Sequence, residues 1–198
     1  LLAHRAGLPA VRAQLSAQAM YDWTKMCEAL AGQRPYWEPG SAHGYHSNTW
    51  GFLVGELLRR ASGLPVAELL ATRLSGPAGA DFWLGVPARE QPRIARMLLP
   101  ELPLPNRSDW ASVFPPTGDA ARDEMIWNAY FNPAGLSGFG TVNTRAWREA
   151  VIPSTNAHGN ARSLARLYAA FLAGASPALR REASTTQSEG EDLVLGRP

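Results

Sequence analysis

Hydrophobic residues recur at helical spacing in much of the chain. Apolar positions three and four residues apart share one face of an α-helix, so this period predicts amphipathic helices. We predict helices over residues 14–32, 49–63, 65–74, 120–130, 144–150 and 160–172. In residues 160–172, Leu164, Leu167, Tyr168 and Phe171 form the face expected to point inward.

The strand signal is weak by comparison. Only residues 81–86 alternate enough to predict a short strand. Residues 87–117 are rich in proline and have no clear period, so we expect an irregular segment with a short helix at 93–98. Residues 132–140 are a glycine-rich loop, and residues 175–198 are polar and expected to fray. The pattern predicts one mostly helical unit without internal repeats.

One stretch joins turn chemistry to a helix. Pro39-Gly40 and the small residues after it predict a turn, and the helix over 49–63 follows directly. Ser47 or Asn48 is expected to cap that helix, and Gly63 to end it. Phe52, Leu53, Leu57 and Leu58 recur at helical spacing along it.

Tyr45 lies between the turn and that helix, where a polar side chain is easily held in place. A phenol has a pKa of about 10, and nearby cations favour its deprotonated form. Such a phenolate can act as a general base. The spacing alone favours an ordinary turn tyrosine over a base, and both interpretations stand at this point.

Composition excludes several functions. The 198 residues are 45% hydrophobic and 18% charged, which is typical of a folded domain with a core. The net charge is +2 and the basic residues are dispersed, so we expect no nucleic-acid partner. No stretch is apolar over a membrane-spanning length. The single Cys27 rules out an internal disulfide and leaves the compartment open, with the cytoplasm favoured.

Four ordered segments carry a family resemblance. They read Leu-Leu-x-His-x-x-Gly-Leu at 1–8, Trp-x-Pro-Gly, Tyr-His-Ser and Gly-x-x-x-Gly-Glu within 37–56, Pro-Ala-Gly-Ala-Asp at 77–81, and Asn-Ala-His-Gly-Asn at 156–160. Together they resemble the serine β-lactamase-related superfamily, and most of all its family VIII carboxylesterases. The resemblance implies an α/β (α+β) fold of the β-lactamase/transpeptidase type, with this chain forming mainly its helical layer.

The resembled enzymes use a Ser-x-x-Lys helix, a tyrosine base and a later His/Lys-x-Gly strand. Lys25 is the only lysine here, and Asp22 stands three residues before it, so this chain lacks the Ser-x-x-Lys motif. The chain also opens on Leu1 rather than Met. We therefore interpret residues 1–198 as an internal portion of one β-lactamase-related domain, and expect the portion alone to be inactive.

By this resemblance Tyr45 is the candidate catalytic base, with Ser47 and Asn48 as supporting residues. β-Lactamases of this branch usually have Tyr-x-Asn, and Ser47 at the third position favours an esterase. We predict hydrolysis of short-chain esters through an acyl-enzyme. The alternatives are a β-lactamase or D-alanyl-D-alanine carboxypeptidase, and a non-catalytic binding homologue. The expected partner is a small ester or amide, with no cofactor and with the oligomeric state open.

Other residues have simpler interpretations. Trp83, Trp110 and Trp127 are typical of core or rim packing, although Trp83 and His158 remain candidates for substrate contact. Ser137 does not fit a Gly-x-Ser-x-Gly elbow and is expected on a flexible surface loop. His43, His46 and His158 lack metal-ligand spacing, so no metal site is predicted. His4 is interpreted as a structural turn histidine.

Overall fold

The computed structural model describes residues 1–98, 108, 111 and 113–197. Within these ranges the α-helices are α1 (Trp23–Ala31), α2 (Thr49–Ser62), α3 (Val66–Leu70), α4 (Ala120–Phe131), α5 (Arg145–Glu149), α6 (Ala161–Gly174) and α7 (Pro177–Ser184). Two short strands, β1 (Phe82–Trp83) and β2 (His158–Gly159), pair antiparallel with Trp83 opposite His158. Short 3-10 helices lie at Ala17–Tyr21 and Ala88–Arg93, and a π-helical turn at Ala71–Ser75 extends α3.

Helix α2 is the central helix of the site. Its predicted end at Gly63 is confirmed, because Gly63 adopts a left-handed conformation with φ of 74°. Phe52 is fully buried, and a Cβ placed on Gly51 would lie 2.5 Å from the Ser154 amide. Close packing therefore holds the first half of α2. Leu57 and Leu58, which recur at the same helical spacing, are exposed.

The predicted helix over 14–32 is interrupted. A 3-10 helix ends at Tyr21, and α1 begins after Asp22. The Asp22 carboxylate accepts a hydrogen bond from the Lys25 amide over 3.0 Å. A carboxylate of this kind satisfies a free amide at a helix start, so Asp22 begins a new helix rather than continuing the old one.

The predictions for α4, α5 and α6 are confirmed to within a few residues. Asp119, Thr144 and Asn160 each cap one of these helices through a side-chain oxygen. The inward face proposed for α6 is not buried, because Leu164, Tyr168 and Phe171 are exposed.

Three predictions for irregular regions need correction. No helix forms over residues 93–98. A 3-10 helix spans Ala88–Arg93 instead. The strand over 81–86 is reduced to Phe82–Trp83. Residues 175–198 do not simply fray: they include α7 and a hydrogen-bonded turn over residues 192–197. Trp110 and the part of 87–117 at 99–107, 109, 110 and 112 lie outside the described residues.

Two hydrophobic clusters form the core. The first consists of Val11, Ala19, Met20, Met26, Leu30, Phe52, Leu136, Trp147 and Ile152. The second consists of Ala10, Met125, Ile126, Ala129 and Val194. The second cluster includes a residue from the C-terminal turn, so that turn is packed into the body of the chain. None of the helices in the described ranges combines the length and apolar character that a bilayer crossing requires.

Candidate active site

Tyr45 lies four residues before α2 and is 40% exposed. Its carbonyl accepts a hydrogen bond from the Ser47 amide over 2.9 Å, and the next carbonyl, of His46, accepts from the Trp50 amide. The chain therefore turns tightly into the helix just after Tyr45. A phenol that is exposed on an ordered backbone is suited to reach a substrate or a nucleophile.

The buried His46 side chain holds this segment in place through hydrogen bonds. Its ring is buried, with Nε2 accepting from the Leu8 amide over 3.0 Å and Nδ1 2.6 Å from the Gly44 carbonyl. Both contacts are satisfied by a neutral ring that carries its proton on Nδ1. Burial lowers the pKa of His46 to about 4, so the neutral form prevails near neutral pH. Because both ring nitrogens are hydrogen-bonded within the fold, His46 is a structural residue.

Three residues around Tyr45 were not identified from the sequence. The His4 ring contacts the Tyr45 ring, with 5.2 Å between centroids. Asp192, in the C-terminal turn, accepts a hydrogen bond from the Tyr45 amide over 3.1 Å. Burial raises the pKa of Tyr130, and its electrostatic interactions with Tyr45 and Asp192 act in the same direction. The resemblance at 1–8 pointed to the His4 segment, but no local signal links Asp192 to Tyr45.

Ser47 and Asn48 have different environments. Asn48 is 1% exposed and occupies the N-cap position of α2, one of the two residues predicted there, but its side chain accepts no hydrogen bond from the helix amides. Its amide nitrogen donates to the Ala129 carbonyl and the Ser137 hydroxyl, each over 2.8 Å, and its oxygen accepts from Thr155. Asn48 therefore connects the start of α2 to three other segments. Ser47 is half-buried between Tyr45 and Asn48, and its supporting role remains a prediction.

Ser137 is also a structural residue. Its hydroxyl donates to the Tyr130 carbonyl over 2.7 Å while it accepts from Asn48. The expectation of a flexible surface loop is wrong here, because Ser137 is half-buried and Gly138 is buried against Trp147. A hydroxyl that both donates and accepts within the fold is poorly placed to serve as a nucleophile.

Trp83 and His158 come together in the two-stranded ribbon. The Trp83 indole donates to the Asp81 carboxylate over 2.8 Å, and His158 contacts the Trp147 ring. Burial lowers the pKa of His158. Trp83 and His158 also contact Arg89 and Trp147, respectively. The described contacts of Tyr45 instead involve His4 and Asp192. A substrate-binding role for the pair remains a prediction.

A cleft of about 460 Å³ is lined by residues that include Arg12, Tyr36, Trp37, Arg122 and Leu193. Tyr45 is not among its lining residues, so this cleft does not coincide with the candidate catalytic tyrosine. We favour Tyr45 because it combines an exposed phenol with an ordered backbone. Across the part of the chain that the structure describes, no three His, Cys, Asp or Glu side chains gather as metal ligands.

The chain resembles solved structures over nearly its whole length. The chain is 31% identical to a family VIII carboxylesterase, with a TM-score of 0.77 over 99% of this chain and 50% of that one. It is also 31% identical to a penicillin-binding protein homologue from Caulobacter crescentus, with a TM-score of 0.78 over 98% of this chain and 50% of that one. A curated relative, the esterase/beta-lactamase LipL of Mycobacterium tuberculosis, is 29% identical over 88% of this chain and 39% of LipL.

These likenesses define a β-lactamase/transpeptidase-like fold, of which the chain forms a mostly helical part, and they confirm the predicted fold class. The beta-lactamase family model matches residues 1–197, and the chain belongs to that family. The chain spans about half the length of the solved structures it matches.

Proposed function

We propose that the full-length protein is a serine hydrolase that cleaves short-chain carboxylic esters through an acyl-enzyme intermediate. The observation that carries the proposal is the exposed Tyr45 phenol at the start of α2, on a backbone fixed from both sides. The likeness to a family VIII carboxylesterase supports the choice of esters. Ser47, where β-lactamases have Asn, supports it further.

In the proposed reaction Tyr45 is the general base. It takes the proton of the serine hydroxyl while the serine oxygen attacks the ester carbonyl. The tetrahedral intermediate collapses, releases the alcohol with that proton, and leaves an acyl-serine. Tyr45 then takes a proton from water, whose oxygen attacks the acyl group. As the bond to serine breaks, Tyr45 returns that proton to the serine oxygen and the acid is released. The serine and its lysine belong to the Ser-x-x-Lys motif, which the resemblance places outside residues 1–198.

Tyr45→Phe in the full-length protein tests the proposal. The substitution removes only the hydroxyl, and a general base contributes on the order of 100- to 10,000-fold. Turnover of p-nitrophenyl acetate should fall by that factor while the circular dichroism spectrum stays unchanged. Near-full turnover by a folded Phe variant would show that Tyr45 is not the base.

The second candidate function is hydrolysis of β-lactams or D-alanyl peptides. It is favoured by the penicillin-binding protein homologue and by the name of LipL. The full-length protein should cleave short esters faster than a chromogenic cephalosporin, and Ser47→Asn should raise the relative lactam rate. A wild-type lactam rate equal to the ester rate would favour this second function. Binding of such ligands without any turnover would favour a non-catalytic binding homologue.

A further inference from the structure

Three consecutive backbone amides around Tyr45 donate hydrogen bonds to two distant residues. The Gly44 amide donates to the His4 carbonyl over 3.2 Å, and the His46 amide donates to His4 Nδ1 over 3.1 Å. The Tyr45 amide between them donates to Asp192 Oδ1. His4 therefore holds the chain on both sides of Tyr45.

His4 contacts the Tyr45 side chain as well. The two rings meet edge to face, with an interplanar angle of 60°. Aromatic rings favour this arrangement, and it limits how far the phenol can rotate. The imidazole therefore restrains both the backbone and the ring of the proposed base.

The backbone of His4 is itself unusual. With φ of 56°, it is the only non-glycine residue with positive φ among the residues that the structure describes. A left-handed conformation is strained for a non-glycine residue, and such strain is concentrated at functional sites. Asn, Asp and His adopt this conformation more readily than other residues do.

The hydrogen bond to the His46 amide requires a particular form of the His4 ring. Nδ1 accepts, so the ring is neutral and carries its proton on Nε2. Burial lowers the pKa of His4; Asp192 opposes this shift, and His43 reinforces it. Protonation would place a hydrogen on Nδ1 facing the amide hydrogen and would break the contact.

We propose that His4 is a positioning residue for Tyr45, and that its neutral imidazole is the form that holds the base in place. This inference rests on the proposed function, because a positioning role requires Tyr45 to act in the reaction. His4 itself does not exchange a proton with the substrate.

Two variants of the full-length protein separate the contributions of His4. His4→Gly removes the ring without backbone strain, because glycine adopts positive φ freely. His4→Asn keeps an acceptor and tolerates positive φ, but it cannot titrate. His43→Asn is the matched control, since it is the backbone carbonyl of His43 that binds the Leu193 amide.

His4→Gly should lower kcat for p-nitrophenyl acetate by roughly 10- to 100-fold with little change in KM, since a displaced catalytic group mainly affects the chemical step. His4→Asn should recover most of that loss, and His43→Asn should match the wild type. In a Tyr45→Phe background, His4→Gly should cause no further loss. A folded His4→Gly protein with kcat within about 2-fold of the wild type would overturn the inference.

The pH profile provides a readout that does not depend on the folding of the Gly variant. The ratio of kcat/KM for His4→Asn to that of the wild type should rise as the pH falls below 6.5, because only the wild type loses the acceptor by protonation. A ratio that stays constant would overturn the role of the neutral ring. If Tyr45→Phe is fully active, the proposed function fails; if it is inactive while His4→Gly is unaffected, only this inference fails.

Discussion

Tyr45 and Asp192 are 147 positions apart in the chain, yet the Tyr45 amide donates directly to the Asp192 carboxylate over 3.1 Å. The same carboxylate oxygen accepts from the Val194 and Leu195 amides, each over 2.8 Å. The buried Asp192 side chain thus closes its own turn and fastens that turn to the segment of the proposed base.

Asp192→Ala should destabilise the full-length protein and lower its activity. Three amides would lose their acceptor, and hydrogen bonds to a charged group contribute about 1.5–3 kcal/mol. We expect the free energy of unfolding, measured by urea titration, to fall by at least that amount. Glu191→Ala is the control, because Glu191 is exposed and its ion pair with Arg122 lies at the surface, where such pairs contribute about 0–1 kcal/mol. Equal stabilities of the two variants would contradict the role given to Asp192.

Substitution of Asn48 should mainly lower the stability, and substitution of Ser47 should mainly lower the activity. Asn48→Ala leaves buried groups without partners, so it should lower the free energy of unfolding by about 2–3 kcal/mol. Ser47→Ala should change the stability by no more than about 0.5 kcal/mol and should lower kcat for ester hydrolysis. Urea unfolding followed by tryptophan fluorescence, together with ester kinetics, measures both. An unstable Ser47→Ala variant with normal kcat would reverse these assignments.

His46 should make the folded state sensitive to acid. Its pKa is lowered to about 4 from 6.5, so the unfolded chain takes up a proton below pH 6.5 that the folded chain does not bind until pH 4. This contribution to stability is complete above pH 6.5 and is lost as the pH falls towards 4, by about 3 kcal/mol in total. His46→Gln lacks the titration, so the stability difference between wild type and variant should change by this amount between pH 7 and pH 4. A difference that does not vary with pH would contradict the prediction.

Residues 1–198 expressed alone should not hydrolyse esters. A hydroxyl nucleophile needs an activating base beside it. Lys25 is exposed, and its backbone amide is bound by Asp22. The Ser137 hydroxyl donates to the Tyr130 carbonyl and accepts from the Asn48 side-chain amide. The measurement is p-nitrophenyl acetate hydrolysis against buffer. Turnover that a serine-directed phosphonate abolishes would show that a nucleophile lies within the chain.

Local sequence signals predicted those parts of the fold that depend on interactions between residues close together in the chain. Helix α2 and its end at Gly63 follow from hydrophobic spacing and from the conformational freedom of glycine. The start of α1 was missed because the hydrophobic pattern continues through Asp22, while the aspartate side chain favours a new helix. The exposure of Leu164 on α6 could not be read from periodicity, which identifies a face but not what covers it.

The site was predicted only in part for the same reason. Tyr45 was identified from its motif, and its exposure is compatible with the proposed role. Asn48 was expected to cap α2, but its amide finds partners in distant segments, which local rules cannot anticipate. Asp192 lies in a polar segment expected to fray, and its role depends on a contact across almost the whole chain.

The contact between Tyr45 and Asp192 also has a consequence for biosynthesis. Chains are synthesised from the N-terminus at roughly 5–20 residues per second, so the ribosome needs roughly 7–30 s to add the residues between these two positions. Until then the Tyr45 amide has no carboxylate to bind, although His4 and α2 are already made. The surroundings of the proposed base are therefore completed only when the turn over residues 192–197 docks onto the segment that precedes α2.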